Sequence, residues 1–315
     1  MIVVIDLMLI IVGFFFLIKG ADFFVDGAVS VANRLKIPQI VIGLTVVAFG
    51  TSMPEAAVSI GSAIKGNAGI AIGNVLGSNI LNILLILGVS ACICKLSVTR
   101  NTVRYEIPFM IGISIILFLF GLFQKNLNWI TGIVLWILFL AFLFYLVRQS
   151  KKQENGEQDE EKAQEEILEV WKTILYLAGG LAAVIWGSNI AVDGATGLAQ
   201  FIGISDRVIG LTIVAFGTSL PELVTSIIAG RKGNADIAIG NIVGSNIFNI
   251  LFILGTTALI ETIPFESAFL LDGIVTIAAA VLLWLCVVRK KELNRKSGVL
   301  LLVVYAVYFV WLLVQ

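Results

Sequence analysis

The chain has 315 residues, 59% of them hydrophobic and 13% charged, with a mean hydropathy of +1.02 and a formal net charge of zero. Soluble domains carry about 25% charged residues, so a water-soluble globule is excluded and a multispan membrane protein is expected. There is no histidine, which removes imidazole metal sites and Ser-His or Cys-His catalysis, and the neutral balance gives no sign of a nucleic-acid partner.

The first segment, MIVVIDLMLIIVGFFFLIKG, lacks a basic start and a small-x-small cleavage site, so it reads as a retained first span. Apolar runs long enough to cross a bilayer then recur. Ten helices are predicted, at 3–24, 38–64, 69–92, 106–124, 129–148, 170–199, 207–230, 236–260, 268–288 and 297–314. Asp26 and Asp193 lie near span ends in a repeated VDGA, where a capping or interfacial role is expected ahead of one in ion entry. Cys92, Cys94 and Cys286 sit in or beside apolar stretches and read as inert thiols. One hydrophilic stretch, Arg148 to Glu166, reads as a solvated linker without calcium-loop spacing. It divides the chain into a first five-helix unit (1–148), a linker (149–167) and a second unit (168–315).

Lysine and arginine set the orientation. Of the 21, only Lys65, Lys125 and Arg207 fall opposite the central loop, and Lys19 and Lys172 lie too near span ends to assign. The remainder share the loop's side. The linker is therefore expected in the cytoplasm and both termini outside.

The chain repeats itself. Residues 43–88 align without a gap on 210–255, and GLTVVAFGTSMPE (Gly43–Glu55) recurs as GLTIVAFGTSLPE (Gly210–Glu222). KGNAGIAIGN recurs as KGNADIAIGN, and GSNILNILLILG as GSNIFNILFILG. Each copy sits in a unit of five spans, an odd number, so the second enters the membrane upside down. Inverted repeats meeting at the bilayer midplane are a hallmark of secondary transporters.

Glu55 and Glu222 fall inside apolar spans, where a carboxylate is costly and functional by default. Pro54 and Pro221 lack an N–H and so release the carbonyls of Gly50 and Gly217 from the helical ladder. Such carbonyls persist at membrane depth only where protein, water or an ion satisfies them. Ala48, Thr51, Ser52, Glu55 and Ser59 share one helical face, and Thr218, Ser219 and Glu222 repeat it. The next helix carries Asn74, Ser78 and Asn82, repeated as Asn241, Ser245 and Asn249. Every donor is a hard oxygen, which suits Ca²⁺ or Na⁺ rather than a transition metal.

G-x-T-x-x-A-x-G-T-S-x-P-E followed by G-N-x-x-G-S-N-I, present in both halves, resembles the two α-repeats of the sodium/calcium exchanger family, in its small prokaryotic form. The resemblance implies an all-α membrane protein of ten transmembrane helices in two inverted five-helix repeats, with helices broken at the midplane. It implies Na⁺-driven Ca²⁺ antiport by alternating access, at three Na⁺ per Ca²⁺, by a monomer in the plasma membrane. The ions are substrates, and no cofactor or enzyme activity is implied. Glu55 and Glu222 would bridge Ca²⁺ and share its site with Na⁺. The carbonyls of Ala48 and Ala215, with Thr51, Ser52 and Ser78 or Thr218, Ser219 and Ser245, would form flanking sodium sites. Asn82 and Asn249 would face the centre; some relatives carry Asp at the position of Asn249. Relatives with a long cytoplasmic loop sense calcium there, which this short linker is not expected to do. A proton- or potassium-coupled exchanger is the nearest alternative, and a passive cation channel a more distant one.

Overall fold

The computed structural model describes residues 2–154, 168–203 and 215–314. Most of the linker (155–167), the start of the second motif copy and of the seventh expected span (207–214, with Arg207), and Gln315 lie outside the described residues.

Helix α1 (Ile2–Leu35) is followed by α2 (Gln39–Thr51), α3 (Met53–Ile64), α4 (Gly69–Ile93), α5 (Thr102–Gln124) and α6 (Trp129–Glu154). The second half supplies α7 (Val170–Phe201), α8 (Ala215–Thr218), α9 (Leu220–Arg231), α10 (Ala235–Ile260), α11 (Ala268–Val287) and α12 (Arg295–Val314). Eight of these are long and apolar enough to cross a membrane, and the bent pair α2–α3 makes a ninth. This is a mostly helical membrane protein. Outward faces carry large apolar side chains such as Phe15, Trp186 and Phe123 at 59, 57 and 78% exposure, a surface that suits lipid and not water.

Two expectations need correction. The first span was placed at 3–24, but α1 runs on to Leu35 and ends where Lys36 turns left-handed (φ 54°) ahead of Pro38. The extra turns are polar enough to read as loop, yet they pack on α7. As a result Asp26 and Asp193 lie inside α1 and α7 and not at helix ends, which overturns capping but not an interfacial role.

The α1–α7 contact is a glycine seam. A Cβ on Gly20 would stand 2.8 Å from the carbonyl of Gly180, and one on Gly187 would stand 2.7 Å from that of Gly13. Only glycine lets two backbones touch this closely. The register runs Gly13 beside Gly187, Gly20 beside Gly180 and Gly27 beside Leu177, so the helices are antiparallel.

Helices α4 and α10 form the centre; the most apolar window of α10 is 94% buried, against 11% for α12. Two short antiparallel ladders, not expected from the sequence, tie the halves together at their loops. Strand β1 (Leu96–Ser97) pairs with β4 (Glu292–Leu293), and β2 (Asn126–Leu127) pairs with β3 (Ile263–Pro264).

Candidate ion-binding site

The proline-containing phrase is a helix break in both copies. Ser52 (φ −84°, ψ 9°) separates α2 from α3, which bend by 51°, and Ser219 (φ −94°, ψ 4°) separates α8 from α9. Pro54 and Pro221 fall in the first turn of the following helix, where a missing N–H costs nothing. Glu55 and Glu222 therefore also lie in a first helical turn, at the positive end of the helix dipole, which favours negative charge.

The breaks meet. The hydroxyl of Ser52 donates to Glu222 Oε1 at 2.9 Å, and that of Ser219 donates to Glu55 Oε1 at 3.0 Å. Each half thus holds the other's carboxylate. Both glutamates, both serines and Thr51 are fully buried, and neither carboxylate pairs with a cation among the described residues. Thr51 donates to Asn241 Oδ1 at 2.9 Å. Asn74 Nδ2 donates to Ser59 Oγ at 2.9 Å and to the carbonyl of Glu55 at 3.3 Å, and Asn241 repeats this with Ser226 (3.0 Å) and Glu222 (3.4 Å).

Four asparagines close the centre. Asn79 and Asn246 each donate to the other's carbonyl at 3.3 Å. Asn82 Nδ2 donates to Asn246 Oδ1 at 3.1 Å, and Asn249 Nδ2 donates to Asn79 Oδ1 at 3.0 Å. Asn82 and Asn249 each open a π-helical turn, Asn82–Ile86 and Asn249–Leu254, a distortion common at functional sites.

With their amide nitrogens engaged there, Asn82 and Asn249 are left with buried Oδ1 atoms that accept no hydrogen bond. Glu55 Oε2 and Glu222 Oε2 share that condition. An unsatisfied buried acceptor costs about 1–3 kcal/mol, more if charged. All four are oxygens, on helices that pack against one another (α3, α4, α9 and α10). Oxygens of this kind are what a hard cation takes as ligands.

The freed carbonyl of the second half has a partner in the protein. That of Gly217 accepts a hydrogen bond from Ser188 of α7 at 2.7 Å, so it is taken by protein. The residue of α1 at the matching position is Ala21, which has no hydroxyl. The carbonyl of Ala48 accepts from the backbone of Ser52 (3.0 Å) and from the hydroxyls of Thr51 and Ser245 (3.4 Å each). Ser78 is buried beside the centre at the position matching Ser245. Thr218 and Ala215 lie in α8, directly before the second break.

A family model described as sodium/calcium exchanger protein matches residues 5–148 and 172–314. The chain belongs to the sodium/calcium exchanger family. It is 39% identical to a putative antiporter, CaxA, of Alkalimonas amylolytica, over 95% of this chain and 96% of that one. It is 33% identical to the sodium/calcium exchanger MaX1 of Methanosarcina acetivorans, over 98% of each. A solved structure of the sodium-calcium exchanger NCX_Mj superposes with a TM-score of 0.84 at 33% identity, covering 98% of this chain and 99% of that one. The family is one of ion exchangers, not of enzymes.

The side-chain spacing in the sequence did not single out Asn79 and Asn246. They follow Ser78 and Ser245 directly, one place off the stripe of Asn74, Ser78 and Asn82. Their signal was available: both are amides within apolar runs, repeated in both copies of GSNI.

Proposed function

We propose that the chain exchanges Na⁺ for Ca²⁺ across the plasma membrane by alternating access, at three Na⁺ per Ca²⁺. The observation that carries this is the set of four buried acceptors, Glu55 Oε2, Glu222 Oε2, Asn82 Oδ1 and Asn249 Oδ1, two of them charged. Two carboxylates balance one Ca²⁺. The hydroxyls of Thr51, Ser52, Ser78, Thr218, Ser219 and Ser245 and the carbonyls of Ala48 and Ala215 are the natural flanking donors for Na⁺. The asparagine quartet aims the two amide oxygens and spends its nitrogens elsewhere.

The ten-span, inverted-repeat arrangement belongs to this proposal, with units at 1–148 and 168–315, the central linker in the cytoplasm and both termini outside. The reciprocal bonds between matched residues and the antiparallel α1–α7 seam support a two-fold axis lying in the membrane plane.

An empty centre carries about −2 charges; one Ca²⁺ brings it to zero and three Na⁺ to about +1. Moving that charge through 100 mV is worth about 2.3 kcal/mol. The test is Ca²⁺ uptake into Na⁺-loaded proteoliposomes with the potential clamped by valinomycin and K⁺. As three Na⁺ leave and one Ca²⁺ enters, positive charge exits, so an inside-positive potential speeds uptake and an inside-negative one slows it. Uptake indifferent to the clamp refutes three-to-one coupling. Uptake driven equally by a proton or K⁺ gradient refutes Na⁺ as the coupling ion.

A further inference from the structure

The two halves carry the same lysine at the same place, and the structure uses only one of them. Lys232 follows α9 and reaches α1. Its Nζ lies 2.6 Å from Asp22 Oδ1 and 2.6 Å from Asp26 Oδ1, and donates to the carbonyl of Asp22 at 3.0 Å. All three side chains are partly buried. The matching lysine, Lys65, follows α3; the matching positions on α7 are Asn189 and Asp193. Lys65, Asn189 and Asp193 are all exposed, and Lys65 forms no ion pair among the described residues.

Packing follows the same division. Leu17 and Ala21 of α1 pack with Leu220 and Val224 of α9, and Leu220 is 6% exposed against 52% for its counterpart Met53. Thr225 is fully buried, whereas its counterpart Val58 is 42% exposed. The face of α9 next to Glu222 is thus covered by α1, while the matching face of α3 next to Glu55 is open.

We propose that Lys232, Asp22 and Asp26 form an electrostatic latch that holds α1 on α9 and keeps one side of the ion site shut. Lys65 and Asp193 form its counterpart when the opposite side closes. The inference rests on the alternating-access reading and adds a bias to it. Lys232 faces two carboxylates, whereas in its counterpart Lys65 would face Asp193 and a neutral Asn189. The more heavily charged latch favours the state seen here, shut at Lys232 and open at Lys65.

Accessibility tests it. With Cys92, Cys94 and Cys286 changed to Ser, one cysteine is placed at Val224 or at Ala57, its counterpart, and labelled with an impermeant maleimide from the cytoplasmic or the outer side respectively. Lys232→Met, and Asp22→Asn with Asp26→Asn, should raise labelling at Val224 by about threefold to tenfold, the scale of a partly buried ion pair. Labelling at Ala57 should fall in the same variants, and Lys232→Arg should leave both rates as they were. Unchanged labelling at Val224 overturns the latch. A parallel rise at both positions also overturns it, since that reports loosening and not a shift between states. Labelling needs no transport, and Na⁺-driven Ca²⁺ uptake of the unaltered protein is measured beside it, so failure of the latch is separable from failure of the exchange reading.

Discussion

Ser52 and Ser219 do the same thing to each other's glutamate, at 2.9 and 3.0 Å. Met53 and Leu220, the very next residues, do not share an environment: one is 52% exposed and the other 6%. Nearly identical sequence gives symmetric contacts at the centre and asymmetric ones a residue away. The difference lies in what covers each break. At the centre each half is the other's neighbour, so matched residues meet matched residues. At the flank, α9 is covered by α1, while α3 is not covered in the same way by α7. Symmetry is kept at the centre, where the two breaks meet, and lost at the flank, where different helices lie alongside.

The strongest way to break this comparison is at the carboxylates. Removing one charged member of a buried paired site costs about 3–5 kcal/mol, so Glu55→Gln and Glu222→Gln should each cut Ca²⁺ uptake at limiting Ca²⁺ by at least about 100-fold. The two losses should match. The proteins should remain folded and inserted, since each variant relieves a buried charge. Uptake that survives in either one, or losses differing by more than tenfold, would show that the centre is not shared equally.

Those glutamates were legible in the sequence because a carboxylate in an apolar run is anomalous and this one occurs twice. Thr51, Ser52 and the asparagine stripe followed from spacing. The pairing was not legible. That Ser52 serves Glu222 rather than Glu55 depends on two breaks meeting across 170 residues of chain, and no local pattern carries that. The same holds for Lys232 with Asp22, which are 210 residues apart. The end of α1 was misread for a different reason: Asp26, Asn33 and Arg34 interrupt its last turns, while Val25, Ala28, Val29 and Ala32 between them are buried in the core. The two-residue ladders are too short to leave any alternation.

A smaller effect sharpens the comparison within the quartet. Asn79→Ala and Asn246→Ala each remove the side-chain oxygen that accepts from the amide of the asparagine opposite, Asn249 or Asn82. A hydrogen bond of this kind contributes about 0.5–1.5 kcal/mol, so the apparent affinity for Ca²⁺ in uptake assays should weaken by about threefold to tenfold, equally in both variants. The loss should appear in affinity, with the maximal rate largely kept, because the amide oxygen is freed to turn rather than removed. Equal affinities in variant and parent would mean that the Asn82 and Asn249 oxygens need no aiming.

The smallest effect lies at the flank, where the halves differ by one atom type. Thr225 is fully buried and its hydroxyl makes no hydrogen bond; the first half has Val58 at this position. A buried hydroxyl without a partner costs about 1–3 kcal/mol, and an apolar group of the same shape removes the cost. Thr225→Val should therefore stabilise the protein by about 1 kcal/mol, read as a higher midpoint of thermal aggregation in detergent, and leave Ca²⁺ uptake unchanged. The opposite pairing, a more stable protein that transports less, would be informative. It would mean that this oxygen is left unsatisfied by the protein because an ion meets it on the way past Glu222. The asymmetry between Thr225 and Val58 would then mark a difference between the two routes to the site, and not merely a difference in packing.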